Sequence, residues 1–131
     1  MIRGGVRMAI KRTRESEEMY LETILLLHKG QPNVRAVDVR DELGLAKSSV
    51  SRGVNLLEKK GYIHIDRETG NLSFTDAGRK KAEGIYERHQ TLTKALMKLG
   101  AKSGLAEENA CRMEHVVSDE MMEVFRNYIK E

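Results

Sequence analysis

Gly44 stands between two short runs that each place apolar residues at helical spacing, and no other feature constrains the fold as strongly. Val34–Leu43 carries Val39 and Leu43 on one face, and the run opening Leu45-Ala46-Lys47-Ser48-Ser49 carries Val50, Val54 and Leu57 one turn apart before Gly61 stops it. A short helix, a tight turn and a second helix rich in Ser, Lys and Arg at its start is the helix-turn-helix arrangement. Tyr62–Asp66 and Asn71–Thr75 then alternate apolar and polar residues around Arg67-Glu68-Thr69-Gly70. That pattern predicts a two-stranded hairpin, placed where a wing would follow a recognition helix.

The flanking segments read as helices. Ser16 followed by Glu17 and Glu18 predicts a capped helix start, with Met19, Tyr20, Ile24 and Leu27 on its inner side and an end near Lys29-Gly30. Thr75 caps a long helix running to about Leu99, Gly100–Gly104 is a loop, and a fifth helix starts near Leu105. Ser118, followed by Asp119 and Glu120, caps a sixth.

Charge is divided unevenly. The net +3 resolves into a basic segment Met1–Arg14 (Arg3, Arg7, Lys11, Arg12 and Arg14, with no acid), an acidic Glu15–Lys29, a basic middle and an acidic C-terminal part. A basic module suits phosphate contact, and an acidic one suits cations. Met1–Arg14 reads either as a phosphate-contacting arm or as a disordered, solvated tail. No apolar run is long enough to span a membrane, no signal-peptide pattern opens the chain, and the single Cys excludes an internal disulfide. The expected compartment is the cytoplasm.

The start of the third helix offers Lys47, Ser48, Ser49, Ser51 and Arg52. Small hydroxyl side chains let the backbone approach the major groove, Arg52 reaches a guanine edge or a phosphate, and Lys47 suits a phosphate. Arg67, in the wing turn, is placed to touch backbone beside the minor groove. The alternative is that Ser48 and Ser49 only cap the helix. His28 and His64 show no partner pattern and read as surface residues.

Cys111-Arg112-Met113-Glu114-His115 sets a thiol, a carboxylate and an imidazole at i, i+3 and i+4, hence on one helical face. This S/O/N set disfavours Mg²⁺ and Ca²⁺ and points to Fe²⁺, Mn²⁺, Co²⁺, Ni²⁺ or Zn²⁺. A metal site on a DNA-binding chain suggests a sensor.

Three stretches, Glu18–Ile24, Thr75–Arg79 leading to Arg88-His89, and Ala110–Glu120, together resemble the iron-dependent repressor family. The resemblance implies a mostly α fold: an N-terminal winged helix-turn-helix followed by an all-helical dimerisation and metal-binding domain. It gives a basic arm over 1–14, a winged helix over 15–82 and the helical domain over 83–131. It also implies a metal-dependent transcriptional repressor of metal uptake or homeostasis, acting as a homodimer on a palindromic double-stranded DNA operator, without membrane or small organic substrate. Its first metal centre falls on Met19, Cys111, Glu114 and His115, and its second on Glu22 and His89. Met19 with Cys111 resembles the iron-responsive members, whereas Glu22 and the short chain resemble the manganese-responsive ones. The iron-responsive pattern has a carboxylate where Thr93 stands and an imidazole where Glu107 stands. Fe²⁺ is the first expectation and Mn²⁺ the second. The competing readings are a winged-helix regulator whose metal is structural or absent and, more distantly, a metal-dependent hydrolase. For the latter, neither a third orienting group nor a Gly-rich phosphate loop accompanies Cys111 and His115.

Overall fold

The computed structural model describes residues 8–131, with side chains from Glu17 onward. Six helices and one hairpin follow in order: α1 (Met8–Gly30), α2 (Ala36–Leu43), α3 (Lys47–Lys59), β1 (Ile63–Ile65), β2 (Leu72–Phe74), α4 (Asp76–Lys98), α5 (Ser103–Met113) and α6 (Asp119–Lys130). The first seven residues of the expected arm lie outside the described residues. Residues 8–14 belong to α1, which does not begin at Ser16 as expected. Met8 to Glu18 contains neither Gly nor Pro, so nothing in the chain stops the helix at the serine. Glu17 and Glu18 therefore sit well inside α1.

The described chain divides into two compact units, one of Lys11–Glu83 and one containing Gly84–Glu131. In the first, Gly44 closes α2 with φ 67°, a left-handed conformation that glycine adopts without a Cβ penalty, and its N–H donates to the Arg40 carbonyl at 2.8 Å. The Asp38 carboxylate reaches back to accept from Arg35 N at 2.8 Å and fixes the start of α2. β1 and β2 pair antiparallel in the register Ile63↔Phe74, His64↔Ser73, Ile65↔Leu72, so Ile63 and Leu72 are buried while His64 and Ser73 face solvent.

Further bonds tether the hairpin within this unit. Leu72 N donates to Val34 O at 2.7 Å, Val34 N donates to the Asn71 side chain at 2.9 Å, and His28 Nε2 donates to Leu72 O at 2.6 Å. His28 is thus an anchor of the wing and not the partnerless surface residue that the sequence suggested. Thr75 caps α4 as expected, its hydroxyl accepting from Gly78 N at 3.0 Å and donating to Gly61 O at 2.6 Å.

In the second unit Leu92, Ala110 and Met122, one from each of α4, α5 and α6, form a buried cluster lined by Leu96, Met113, Val117 and Phe125. Ser118 caps α6 by accepting from Met121 N at 3.1 Å. Among the described residues no helix is long and apolar enough to cross a membrane.

Candidate functional site

The helix carrying Cys111 ends earlier than its ligand spacing suggests. α5 stops at Met113, Glu114 is its C-cap, and His115 lies in the turn that follows. The spacing survives because Glu114 keeps right-handed helical angles (φ −58°, ψ −25°) and its N–H still donates to Ala110 O at 2.9 Å. Val116 and Val117 N–H both turn back to Met113 O at 3.0 Å, which tightens the chain before Ser118 opens α6.

Cys111, Glu114 and His115 are all buried, Glu114 to 1% exposure. The Glu114 carboxylate stands between two imidazoles. Oε1 is 2.7 Å from Nδ1 of His89, on α4, and Oε2 is 3.5 Å from Nε2 of His115. Arg88, one residue before His89, is bound to the same turn. Its Nε donates to Glu114 O at 2.9 Å, Nη1 to Asp119 Oδ1 at 2.9 Å, and Nη2 to Val117 O.

The structure therefore brings three of the residues expected as ligands into contact, His89 and His115 on either side of Glu114, and buries Cys111 one turn before Glu114 on α5. A carboxylate between two imidazoles, with a buried thiol one helical turn earlier, is a donor set that suits a divalent transition metal better than Mg²⁺ or Ca²⁺. Met19 and Glu22 belong to the other unit, three residues apart and hence on one face of α1, and both are buried. Thr93 spends its hydroxyl on His89 O at 2.8 Å, and Glu107 is exposed.

On α3, Lys47, Ser48, Ser51 and Arg52 are exposed and Ser49 is half-buried. The N-cap is Ala46, without a side-chain cap, so Ser48 and Ser49 are not capping residues. Arg67 is 70% exposed, and its Nη2 donates to Glu58 Oε1 at 2.5 Å, which ties the wing turn to α3. Glu58 also accepts from Ile65 N at 3.1 Å. That backbone bond, outweighing a smaller desolvation effect and joined by Arg67, holds the Glu58 carboxyl below its ordinary range.

Two arrangements escaped the sequence reading. Buried Glu17 receives Lys60 Nζ at 2.5 Å and Lys81 Nζ at 2.8 Å. Burial pushes its carboxyl up, but the two ammonium groups outweigh that and hold it below the usual range. Tyr20 packs on α3 at Gly53, and its hydroxyl approaches Ser49 O at 3.4 Å. Neither partner is near in sequence, so no local spacing could have revealed it.

A helix-turn-helix with a two-stranded wing, followed by a helical unit with buried sulfur, oxygen and nitrogen donors, defines a winged-helix protein with a candidate metal centre. Residues 12–70 match the N-terminal DNA-binding domain of the iron-dependent repressors, and residues 75–131 match their metal-binding and dimerisation domain. The chain is 33% identical over 113 residues to the transcriptional regulator MntR of Escherichia coli O6:H1, covering 86% of this chain and 72% of that one. It is 31% identical over 109 residues to the diphtheria toxin repressor of Corynebacterium glutamicum, covering 82% of this chain and 47% of that one. A solved manganese-dependent transcriptional repressor in complex with manganese superposes with a TM-score of 0.80 at 25% identity, over 87% of this chain and 52% of that one. The chain thus spans about half the length of the last two proteins. It belongs to the iron-dependent repressor family.

Proposed function

We propose that the protein is a metal-dependent transcriptional repressor that binds double-stranded DNA as a homodimer and controls uptake or homeostasis of the metal it senses. The observation that carries this reading is the buried Glu114 carboxylate between His89 and His115, with Cys111 one turn earlier, in a chain whose other unit is a winged helix. Met19, Cys111, Glu114 and His115 would hold the first ion, and Glu22 with His89 a second. When bound, the metal supplies a divalent positive charge and coordination bonds to these side chains. Met19 and Glu22 lie on α1, in the unit that carries α3. A palindromic operator presents half-sites one helical turn apart, and only a dimer held at one spacing engages both. On each head Arg52 and Lys47, with Ser48, Ser49 and Ser51, would meet the major groove, and Arg67 the flanking backbone.

The thioether and thiolate favour Fe²⁺ over Mn²⁺, whereas the carboxylates and imidazoles serve either ion. The test is selection of duplex DNA from a random pool with Fe²⁺ or Mn²⁺ under anaerobic reducing conditions, followed by anisotropy titration of the winning duplex. Dimer binding should require metal, vanish with chelator and return on metal addition. Equal affinity with and without metal would overturn the reading. A metal response retained in Cys111→Ala would remove Cys111 from the ligand set.

A further inference from the structure

The turn between α5 and α6 carries two of the proposed ligands, and little regular structure holds it. The last carbonyls of a helix have no intrahelical partner, and Glu114, the C-cap, exposes such a group. Arg88 supplies the missing donors. Its planar guanidinium reaches Glu114 O and Asp119 Oδ1, each at 2.9 Å, and Val117 O as well, so one rigid group pins the turn at three points. The next residue on α4, His89, holds the side chain of the same glutamate at 2.7 Å. Residue 114 is thus gripped by backbone and carboxylate at once, from two successive positions of one helix.

We infer that Arg88 is a positioning residue for the metal centre. It orders residues 114–119 so that Glu114 Oε2 and His115 Nε2 stand 3.5 Å apart before an ion arrives, and the entropy of ordering the turn is then not lost on binding. Outer-shell partners that orient metal ligands typically change metal affinity about 10–100-fold when removed. This inference rests on the metal-centre reading given above.

The fold contains its own control. Arg126 on α6 also bonds α4, through Glu87 at 2.8 and 3.0 Å, and its other bond goes to Glu123. It braces the same two helices without gripping the ligand turn.

The experiment titrates Co²⁺ alone into the full chain under reducing conditions. Affinity is read by competition with a chromogenic chelator, and the visible ligand-field and thiolate charge-transfer bands are recorded. Arg88→Ala should weaken Co²⁺ binding by about 10–100-fold and alter the bands, and Arg88→Lys should restore only part. Arg126→Ala should lower the melting temperature and leave affinity and bands unchanged. Should Arg88→Ala fail to fold, Asp119→Ala, which removes one of the three acceptors at a fully exposed side chain, should still weaken Co²⁺ binding measurably. Wild-type affinity and spectrum in Arg88→Ala, or in Asp119→Ala when it stands in, would overturn the inference alone. So would an equal loss of affinity in Arg126→Ala. Absence of Co²⁺ binding by the wild type would overturn the metal-centre reading and this inference together.

Discussion

A Cβ placed on Gly53 would lie 2.0 Å from Cε2 of Tyr20, so the tyrosine ring occupies the space that any other residue at position 53 would need. Gly53 is the gap in α3 into which α1 seats. Glycine costs a helix interior about 1 kcal/mol relative to alanine, and here the lost propensity permits the close approach. Gly53→Ala should therefore destabilise the protein by about 1–3 kcal/mol through overpacking, despite its better helix propensity. Urea denaturation checks the sign. Adding Tyr20→Ala should make the Gly53→Ala change neutral or favourable, a non-additivity that a double-mutant cycle measures.

Two glycines of α4 should respond in opposite directions. A Cβ at Gly78 would stand 1.8 Å from the Tyr62 carbonyl oxygen, a backbone atom that cannot swing aside, whereas nothing lies within 4 Å of one at Gly84. Gly78→Ala should cost about 3 kcal/mol or more, and Gly84→Ala should stabilise by about 0.5–1 kcal/mol. Melting temperatures of the two variants should fall on opposite sides of the wild type.

The wing should loosen in acid. Glu58 is held low first by the Ile65 N–H and then by Arg67 and nearby His64, and Asp66 by the N–H groups of Thr69 and Glu68 and by the Thr69 hydroxyl. Folded pKa values below the unfolded ones mean that the stabilisation is complete above about pH 4.5. It disappears as pH falls through the lower, folded values. Amide exchange at Ile65, Glu68 and Thr69 should therefore accelerate in acid relative to the α3 interior, after correction for intrinsic rates. Glu58→Gln should remove much of that pH dependence at Ile65.

Glu17 should tolerate the loss of one lysine far better than the loss of both. Lys60→Met or Lys81→Met alone leaves one ammonium against the buried carboxylate and should cost about 1 kcal/mol. The double variant strands the charge, and its cost should exceed the sum of the singles by about 0.5–3 kcal/mol. Equilibrium denaturation of the four proteins measures the coupling.

The parts legible in the sequence were those written in local patterns. Gly44, the alternation on either side of Arg67–Gly70, Thr75 and Ser118 located the helix-turn-helix, the hairpin and two helix starts, because turn and cap chemistry acts over three or four residues. The start of α1 was misplaced because Ser16-Glu17-Glu18 looks the same whether it caps a helix or lies inside one. The end of α5 at Met113 left no mark in the sequence, because Glu114 leaves the helix without glycine, keeping helical angles for one more residue. Arg88, Tyr20 and Glu17 acquire their roles from partners 26 to 64 residues away, at distances where sequence spacing carries no signal. Cys111, Glu114 and His115 were visible as a group only because one helical turn gathers them.

Tyr20 follows Met19 directly, and successive residues on a helix point about 100° apart. One side of α1 therefore presents the proposed thioether ligand while the adjoining side is keyed into the backbone of α3. The residue that would register the ion and the residue that grips the reading helix are separated by a single peptide bond. Any turn of α1 about its own axis would press the Tyr20 ring against α3 at Gly53. If Met19 holds the ion, the fit of the Tyr20 ring against Gly53 would be the nearest place where α3 could feel it, one residue along the same helix.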